Sequence, residues 1–177
     1  VICLGRTVDI SSPRHVINHG ICLLTEDRKN QGLVLIASAR DNFALPNVRR
    51  WLRFGFIRRQ FEATRFTERV KNLNIRVSGP HQRAQDLSGG NQQKLLLARW
   101  LETDFKVIIF DEPTRGIDVG AKSEVYLLIN ELAALGKGVI IISSELPEII
   151  GMCDRVLVMK AGRITGEISD MARATQE

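Results

Sequence analysis

The apolar positions of the chain form short continuous runs that alternate with stretches of helical spacing. Three runs, at residues 21–24, 107–110 and 139–142, are continuously apolar and predict buried strands. Helical spacing over residues 91–101 and 119–135 predicts two helices that flank the second run. Buried strands that alternate with helices are typical of a mostly parallel sheet with helices on both faces, so the predicted fold class is α/β.

The remaining predicted elements are short. They are, in chain order, strands at residues 1–4 and 7–10, a helix between Ser12 and Gly20, a helix near residues 147–152, and a hairpin formed by residues 155–159 and 164–168.

A helical insertion interrupts the strand pattern over residues 38–86. Breaks are expected near Pro46 and Gly55, because proline and glycine disfavour the interior of a helix. Apolar residues recur three to five positions apart on one predicted helix face, at Ile57, Phe61, Phe66, Val70 and Leu73. The chain therefore divides into residues 1–37, the insertion, and residues 87–177.

Composition excludes several classes of protein. The chain has 177 residues, of which 44% are hydrophobic and 25% charged, so it can bury a core and is not disordered by composition. Its longest apolar runs fall far short of the roughly 18 residues that a membrane span needs. Cys3, Cys22 and Cys153 show no metal-ligand spacing, and their odd number fits a reducing compartment better than a disulfide framework.

The positive charge is concentrated in the insertion. The whole chain carries a net charge of +5, whereas residues 40–76 carry nine arginines and one lysine against three acidic residues, which is +7. Such an excess favours an anionic partner, either nucleic acid or a membrane surface. The alternative is a solvated helical face, in which the arginines face solvent and only the apolar stripe packs.

Two acidic residues follow the second predicted strand. Asp111 and Glu112 come directly after residues 107–110, which places them at the carboxyl edge of the sheet, where open α/β folds bind ligands. In phosphate-handling sites such an Asp helps to hold Mg²⁺, usually through water, and the Glu can polarise an attacking water. A capping or ion-paired couple is the alternative interpretation.

A glycine pair opens the helix at residues 91–101. Leu87-Ser88-Gly89-Gly90 precedes Asn91, and two glycines let the backbone approach a ligand closely. A helix N-terminus presents free N–H groups to an anion, and Ser88 can either cap the helix or donate its hydroxyl to a phosphate. Taken alone, the segment is equally consistent with an ordinary loop that enters a helix.

The order of these motifs resembles that of an ATP-binding cassette. Leu-Ser-Gly-Gly is followed by a helix, four apolar residues and Asp-Glu-Pro-Thr, with Asp118 six positions after Glu112. Four longer motifs narrow the resemblance to the second cassette of the double-cassette ATPases that energise bacterial import of ribose, galactose, arabinose and similar monosaccharides. These motifs are Ser-Gly-Gly-Asn-Gln-Gln-Lys, Asp-Glu-Pro-Thr-Arg-Gly-Ile-Asp-Val-Gly-Ala, Ser-Ser-Glu-Leu-Pro-Glu and Thr-Glu-Asp-Arg-Lys. The resemblance runs from about Val1 to Glu167.

This resemblance implies a role for each motif. In such cassettes two ATP molecules lie between two domains, and each site combines the Walker motifs of one cassette with the signature motif of the other. Asp111 would then support Mg²⁺, Glu112 would be the general base, and Asp118 would lie in the D-loop. The signature residues would contact the γ-phosphate of ATP bound to the partner cassette: Ser88, Gly89, Gly90 and Gln92.

The resemblance also implies partners and a location. Residues 1–37 would end the N-terminal β region and include the Q-loop, and residues 38–86 would form the α-helical subdomain that contacts the membrane permease. The other partners would be the first cassette of the same or a paired chain and, indirectly, a periplasmic sugar-binding protein. No nucleic acid is expected, and the expected location is peripheral, at the cytoplasmic face of the bacterial inner membrane.

The sequence departs from the cassette pattern in three respects. No Gly-x-x-x-x-Gly-Lys-Ser/Thr loop occurs, so the Walker A part is missing. Glu26 stands at the Q-loop position, where it adds negative charge near the phosphates. Ser144 stands at the switch-histidine position and is a poor acid or base near neutral pH.

These departures predict a division of labour. We expect Val1 to be an internal residue of a longer polypeptide that hydrolyses ATP, and the isolated chain to be inactive. The signature motif would complete the site of the first cassette, while the cassette's own Walker side is weak or silent. The rival hypotheses are a non-transport ATPase that acts on nucleic acid, supported only by the arginine-rich insertion, and a non-catalytic interaction fragment.

Overall fold

The computed structural model describes residues 1–3 and 5–169 of the chain. Its strands are β1 Ile2–Cys3, β2 Arg6–Thr7, β3 Ile21–Leu24, β4 Leu52–Arg53, β5 Phe56–Ile57, β6 Val107–Asp111, β7 Gly138–Ile142, β8 Val156–Lys160 and β9 Arg163–Ile168. Its α-helices are α1 Pro13–Asn18, α2 Ala39–Ala44, α3 Val48–Trp51, α4 Arg59–Asn72, α5 Gly89–Trp100, α6 Val119–Ala134 and α7 Leu146–Met152.

A parallel three-stranded sheet organises these elements, in the order β3-β6-β7. Its register aligns Leu24 with Phe110 and Phe110 with Ile141, so the three strands end at one edge. The α/β class, the three strands and the two flanking helices are thereby confirmed, whereas the prediction that all three strands are buried is wrong for β7, none of whose residues is buried. Because all three strands run in the same direction, the residues that follow them are brought together.

The two faces of this sheet differ. Cys22, Leu24, Ile108 and Phe110 are at most 2% exposed and belong to one core with apolar residues of α5 and α6. On the other face Leu23, Ile140 and Ile142 remain about half exposed, at 49%, 49% and 51%. The apolar runs predict helices on both faces. Over the described residues, the second face keeps an exposed apolar strip.

The insertion closes on itself at its base. Ser38 forms an antiparallel bridge with Arg83, and the amide of Ala39 donates to the carbonyl of Gln82. The expected break at Gly55 is a hairpin of β4 and β5 rather than an interruption of a helix. The placement of Ile57 on a helix face was therefore wrong, because this residue lies in β5.

Three residues of the predicted helix face pack as expected, whereas the placement of Phe61 on it was wrong, because this side chain is 40% exposed. Phe66 and Leu73 are 4% and 6% exposed, and Val70 packs against the same core. Phe43 lies beneath them, with its ring 5.6 Å from that of Phe66 and 5.4 Å from that of Trp51. Aromatic contacts thus anchor α4 to α2 and α3.

Several arginines of the insertion form ion pairs with buried carboxylates. Glu62 is fully buried and accepts from Arg40 Nε at 2.9 Å. Glu102, 5% exposed at its side chain, accepts from Arg65 and Arg69 at 2.6–3.0 Å. The picture of a uniformly solvated arginine face is therefore wrong for these three arginines.

Hairpins lie near both ends of the described residues. The first predicted strand is observed at Ile2–Cys3, and its last residue, Leu4, lies outside the described residues. The second pairs with it through Arg6–Thr7, earlier than residues 7–10. The C-terminal hairpin is confirmed as β8 and β9, whereas residues 170–177 lie outside the described residues.

Candidate functional site

Four predicted site residues meet at the carboxyl edge of the sheet. Glu26 follows β3, Asp111 ends β6, Glu112 comes next, and Ser144 follows β7. The amide of Ser144 donates to Glu112 Oε1 at 2.9 Å, and the amide of Glu112 donates to the carbonyl of Ile142 at 2.8 Å. These bonds join the ends of β6 and β7 and direct the Glu112 carboxylate towards Ser144.

The backbone of Glu112 adopts an uncommon conformation. Its φ angle is +47°, in the left-handed region that non-glycine residues rarely enter. Such a residue costs on the order of 1–3 kcal/mol and persists only where its surroundings hold it. Here the surroundings are the two hydrogen bonds to the end of β7, so the conformation fixes a carboxylate at the site.

Asp111 is the residue that fits a divalent cation. Its side chain is partly exposed at the sheet edge and has no hydrogen bond to the residues that the structure describes. Mg²⁺ keeps several of its waters and is often held by one or two carboxylates together with substrate phosphates. Within the described range, no cluster of three or more His, Cys, Asp or Glu side chains suits a metal ion, so Asp111 would act with phosphates and water.

Ser88 caps α5 and remains exposed. Its Oγ accepts from the amide nitrogen of Asn91 at 3.5 Å and from Asn91 Nδ2 at 2.9 Å. Because both bonds use the oxygen as acceptor, the hydroxyl proton is still available to an external acceptor. The two interpretations of this serine, a cap and a phosphate donor, are therefore compatible.

The glycines of the signature have a packing role. A Cβ at Gly90 would lie 2.8 Å from the Cβ of Ala121 on α6, and one at Gly89 would lie 3.0 Å from the carbonyl oxygen of Gly116. Neither position has room for a side chain. The sequence attributes the glycine pair to the close approach of a ligand, whereas the structure shows a close approach of the chain's own D-loop and α6.

Gln92 is buried and hydrogen-bonded within the chain, whereas Ser88 is exposed. Its side chain is 3% exposed, and its Nε2 donates to the carbonyl of Ala84 at 3.0 Å. This bond secures the turn before the signature. A contact between the Gln92 side chain and phosphate stays a prediction, since it requires this bond to break.

Asp118 is the N-cap of α6. Its Oδ1 accepts from the amide of Ala121 at 2.9 Å, beside the point where Gly90 touches the same residue. Lys122, one position further, binds Glu145 with its Nζ at 2.7 Å from both carboxylate oxygens. The D-loop is thus fixed both to the signature and to the segment after β7.

Two arginines complete the site, and the sequence did not single them out. Arg28 Nη1 donates to the carbonyl of Arg115 at 2.8 Å and lies close to Gly89 and Gly116. Arg115 in turn forms an ion pair with Glu26. Burial lowers the pKa of Arg28 from its ordinary value. One feature of the sequence could have indicated Arg115. Glu26 stands at the Q-loop position, and a carboxylate near phosphates is stabilised by a neighbouring cation.

Comparison with known proteins identifies the family. Residues 9–115 match the family model described as ABC transporter. The chain belongs to the ABC transporter family. It is 54% identical over 163 residues to the ribose import ATP-binding protein RbsA 1 of Burkholderia cenocepacia, and 50% identical over 163 residues to the xylose import ATP-binding protein XylG of Thermoanaerobacter pseudethanolicus. Each match covers 92% of this chain and 32% of the relative.

A third relative and two solved structures extend the comparison. The ribose import ATP-binding protein RbsA of Bacillus subtilis is 47% identical over 173 residues, which cover 98% of this chain and 35% of that protein. The ATP-binding cassette MJ0796 bound to ADP and Pi superposes with a TM-score of 0.72 at 21% identity, and CbiO1 from Clostridium perfringens with 0.73 at 25%. These matches cover 86% and 94% of this chain and 64% of each structure. The cassette fold is confirmed, and this ABC transporter chain spans about a third of the length of its curated relatives.

Proposed function

We propose that this chain is the second-cassette part of a longer ATP-hydrolysing subunit that energises the import of a monosaccharide. The observation that carries the proposal is the position of Ser88 at the exposed N-terminus of α5. Gly89 and Gly90 pack this end of the helix against Gly116 and Ala121. The identity of about half to relatives named for ribose and xylose import supports the sugar class.

The signature surface binds the γ-phosphate of ATP held by the partner cassette. The free N–H groups at the start of α5 and the positive end of its dipole favour an anion there. Ser88 adds a hydroxyl donor at the same end. Gly89 and Gly90 let the start of α5 pack closely on Gly116 and Ala121, which fixes where these N–H groups lie.

The ATP site that this cassette would form with its own Walker motifs contains Asp111, Glu112 and Ser144. Mg²⁺, bound with ATP, would neutralise phosphate charge at Asp111. Glu112 is held in place by the amide of Ser144 and is the general base of this site. Ser144 offers no imidazole, and the chain contains no Walker A lysine, so this site alone binds ATP very weakly and does not turn it over.

The insertion forms the permease contact. A mostly apolar cavity of about 230 Å³ opens on it between α4 and the loop that follows, and it is lined by Arg40, Ala63, Phe66, Thr67, Val70, Val77, Gly79 and Pro80. An apolar groove of this kind suits a short helix of a membrane subunit. In the described part of the chain no helix is long and apolar enough to cross a membrane. The similarity to sugar import ATP-binding proteins supports a peripheral location at the cytoplasmic face of the inner membrane, with the sugar-binding protein an indirect partner.

Two measurements test this proposal. Titration of the isolated chain with a fluorescent ATP analogue and Mg²⁺ is expected to give very weak binding; micromolar binding with steady phosphate release would contradict it. Addition of the chain to an intact first cassette of the same transporter is expected to raise phosphate release above that of the first cassette alone. An unchanged rate, with the chain folded by circular dichroism, would overturn the assignment of the signature.

A further inference from the structure

The β4–β5 hairpin projects two aromatic side chains into solvent. Phe54 is 88% exposed and Phe56 is 80% exposed, and Leu52 beside them is 41% exposed. Phe54 and Gly55 form the turn with φ angles of +50° and +83°. Two consecutive positive φ values are the pattern of a tight hairpin turn that favours Asn or Asp followed by Gly.

The fold itself does not account for Phe54. A bulky residue in the left-handed region is unfavourable, and an exposed phenyl ring gains nothing from burial. Asn at this position would relieve the backbone and remove the exposed ring at once. The folded chain gains no stability from the exposed ring of Phe54, so this ring is available for a contact beyond the described residues.

The charge around the hairpin is not compensated. Residues 42–61 contain five arginines and no Asp or Glu, and of the five only Arg59 is paired, with Glu62 at 3.5 Å, among the residues that the structure describes. Arg49, Arg50, Arg53 and Arg58 are exposed and form no ion pair with the residues that the structure describes. They contrast with Arg40, Arg65 and Arg69 of the same insertion, which bind buried glutamates.

The positive groups lie beside aromatic rings. The guanidinium of Arg53 is 5.5 Å from the centroid of the Phe54 ring, and that of Arg58 is 4.8 Å from that of Phe61. Rings at the tip with cations around them form a surface that is apolar at its centre and basic at its rim. A bilayer with acidic headgroups has the complementary profile, an apolar interior beneath a negatively charged surface.

We propose that the hairpin surface, Leu52–Ile57 with Arg49, Arg50 and Arg58, binds an anionic phospholipid bilayer. The rings of Phe54 and Phe56 enter the boundary between headgroups and acyl chains, and the arginines bind lipid phosphates. A bilayer fits better than nucleic acid, because the exposed aliphatic side chain of Leu52 beside the rings is stabilised by burial among acyl chains and offers no surface for base stacking. This proposal does not depend on the proposed nucleotide chemistry, since lipid binding involves neither ATP nor the signature.

Co-sedimentation of the full chain with vesicles tests this proposal. Vesicles of phosphatidylcholine with one third phosphatidylglycerol are expected to bind the chain, and pure phosphatidylcholine vesicles are not. The double variant Arg53→Ala/Arg58→Ala is expected to weaken partitioning by roughly 10-fold or more. Phe54→Asn is expected to weaken it by about 10-fold without loss of thermal stability, since the turn favours Asn.

The β8–β9 hairpin provides the matched control. It also turns through two positive φ values, at Ala161 and Gly162, and the basic residues Lys160 and Arg163 flank that turn. Lys160→Ala/Arg163→Ala removes the same charge and should leave vesicle binding within about 2-fold, given that the remote charges are screened.

Three outcomes would overturn the proposal. The first is equal binding to neutral and anionic vesicles. The second is equal weakening by the two double variants, which would mean that only net charge matters. The third is binding of duplex DNA at the same ionic strength that is tighter than vesicle binding and as sensitive to Phe54→Asn, which would assign the hairpin surface to nucleic acid.

Discussion

The sheet edge and the hairpin surface use charge in opposite ways. At the sheet edge Glu26 pairs with Arg115, Lys122 pairs with Glu145, and Glu112 accepts from the amide of Ser144. At the hairpin surface Arg49, Arg50, Arg53 and Arg58 form no ion pair with the residues that the structure describes. Charges paired within the fold hold a geometry, whereas unpaired charges beside exposed rings are available to a partner.

The insertion contains both arrangements within a short stretch of sequence. Arg40, Arg65 and Arg69 bind Glu62 and Glu102 and fasten α4 to α2 and to the end of α5. The hairpin arginines, a few residues away, project outward. Counting charges along the sequence merges these groups into one excess of +7 and cannot separate structural from interacting arginines.

The largest effect is expected at the signature, where Ser88→Arg places a long cation at the N-terminus of α5. It blocks the approach of the γ-phosphate and opposes the positive end of the helix dipole. The stimulation of ATP hydrolysis by the first cassette should fall about 100-fold or more, which is the loss typical of removing a hydrogen-bond donor that stabilises charge in a transition state. Phosphate release from the mixed proteins is the measurement.

Asn130→Arg on the exposed side of α6 serves as the control, because it adds the same charge away from the signature. It should leave stimulation unchanged. Equal losses in both variants would show that added charge, not the position of Ser88, is responsible.

The next effect is on stability, at the fully buried Glu62. Glu62→Ala leaves Arg40 without its partner in a site with little water, and breaking a buried pair costs about 3–5 kcal/mol. Glu68→Ala, which removes an acid that is 48% exposed, should cost less than about 1 kcal/mol. Urea unfolding of both variants measures the difference, and equal midpoints would contradict the structural role of Glu62.

A smaller, pH-dependent effect is expected at Glu102. Burial raises the pKa of this carboxyl, but hydrogen bonds and charges from Arg65 and Arg69 outweigh it and lower the pKa below its ordinary value of 4.5. A group with a lowered folded pKa stabilises the fold above its unfolded pKa and loses that contribution as the pH falls through the folded pKa. Unfolding free energy should therefore decrease below about pH 4.5, and Glu102→Gln should reduce this dependence. An identical pH slope in the variant would refute the prediction.

Much of this arrangement could be predicted from the sequence. The apolar runs determine β3, β6 and β7, and parallel strands necessarily bring Glu26, Asp111 and Ser144 to one edge. The contact of the glycine pair with Gly116 and Ala121 was not predicted, and its contact with phosphate stays a prediction.

The remainder depends on contacts between distant segments. Arg28 and Arg115 are about 90 positions apart in sequence, and no local periodicity indicates that one binds the carbonyl of the other. The hairpin at Gly55 interrupted an apolar spacing that also suited a helix, because Ile57 and Phe61 are four residues apart in either case. Short apolar segments satisfy both patterns, and the turn decides between them.

The smallest effect is expected for the ion pair between Arg115 and Glu26. The two side chains are 66% and 42% exposed, and exposed pairs contribute about 0–1 kcal/mol. Arg115→Ala should barely change the unfolding midpoint, yet it leaves the carboxylate of Glu26 uncompensated beside the D-loop. The stimulation of ATP hydrolysis by the first cassette is expected to fall about 3- to 10-fold, since uncoupling one such contact is worth about 1 kcal/mol.

In a Glu26→Gln background no charge remains to be balanced, so Arg115→Ala should have little further effect. Equal losses in both backgrounds would mean that Arg115 acts independently of Glu26, and the pairing at the sheet edge would then be structural only.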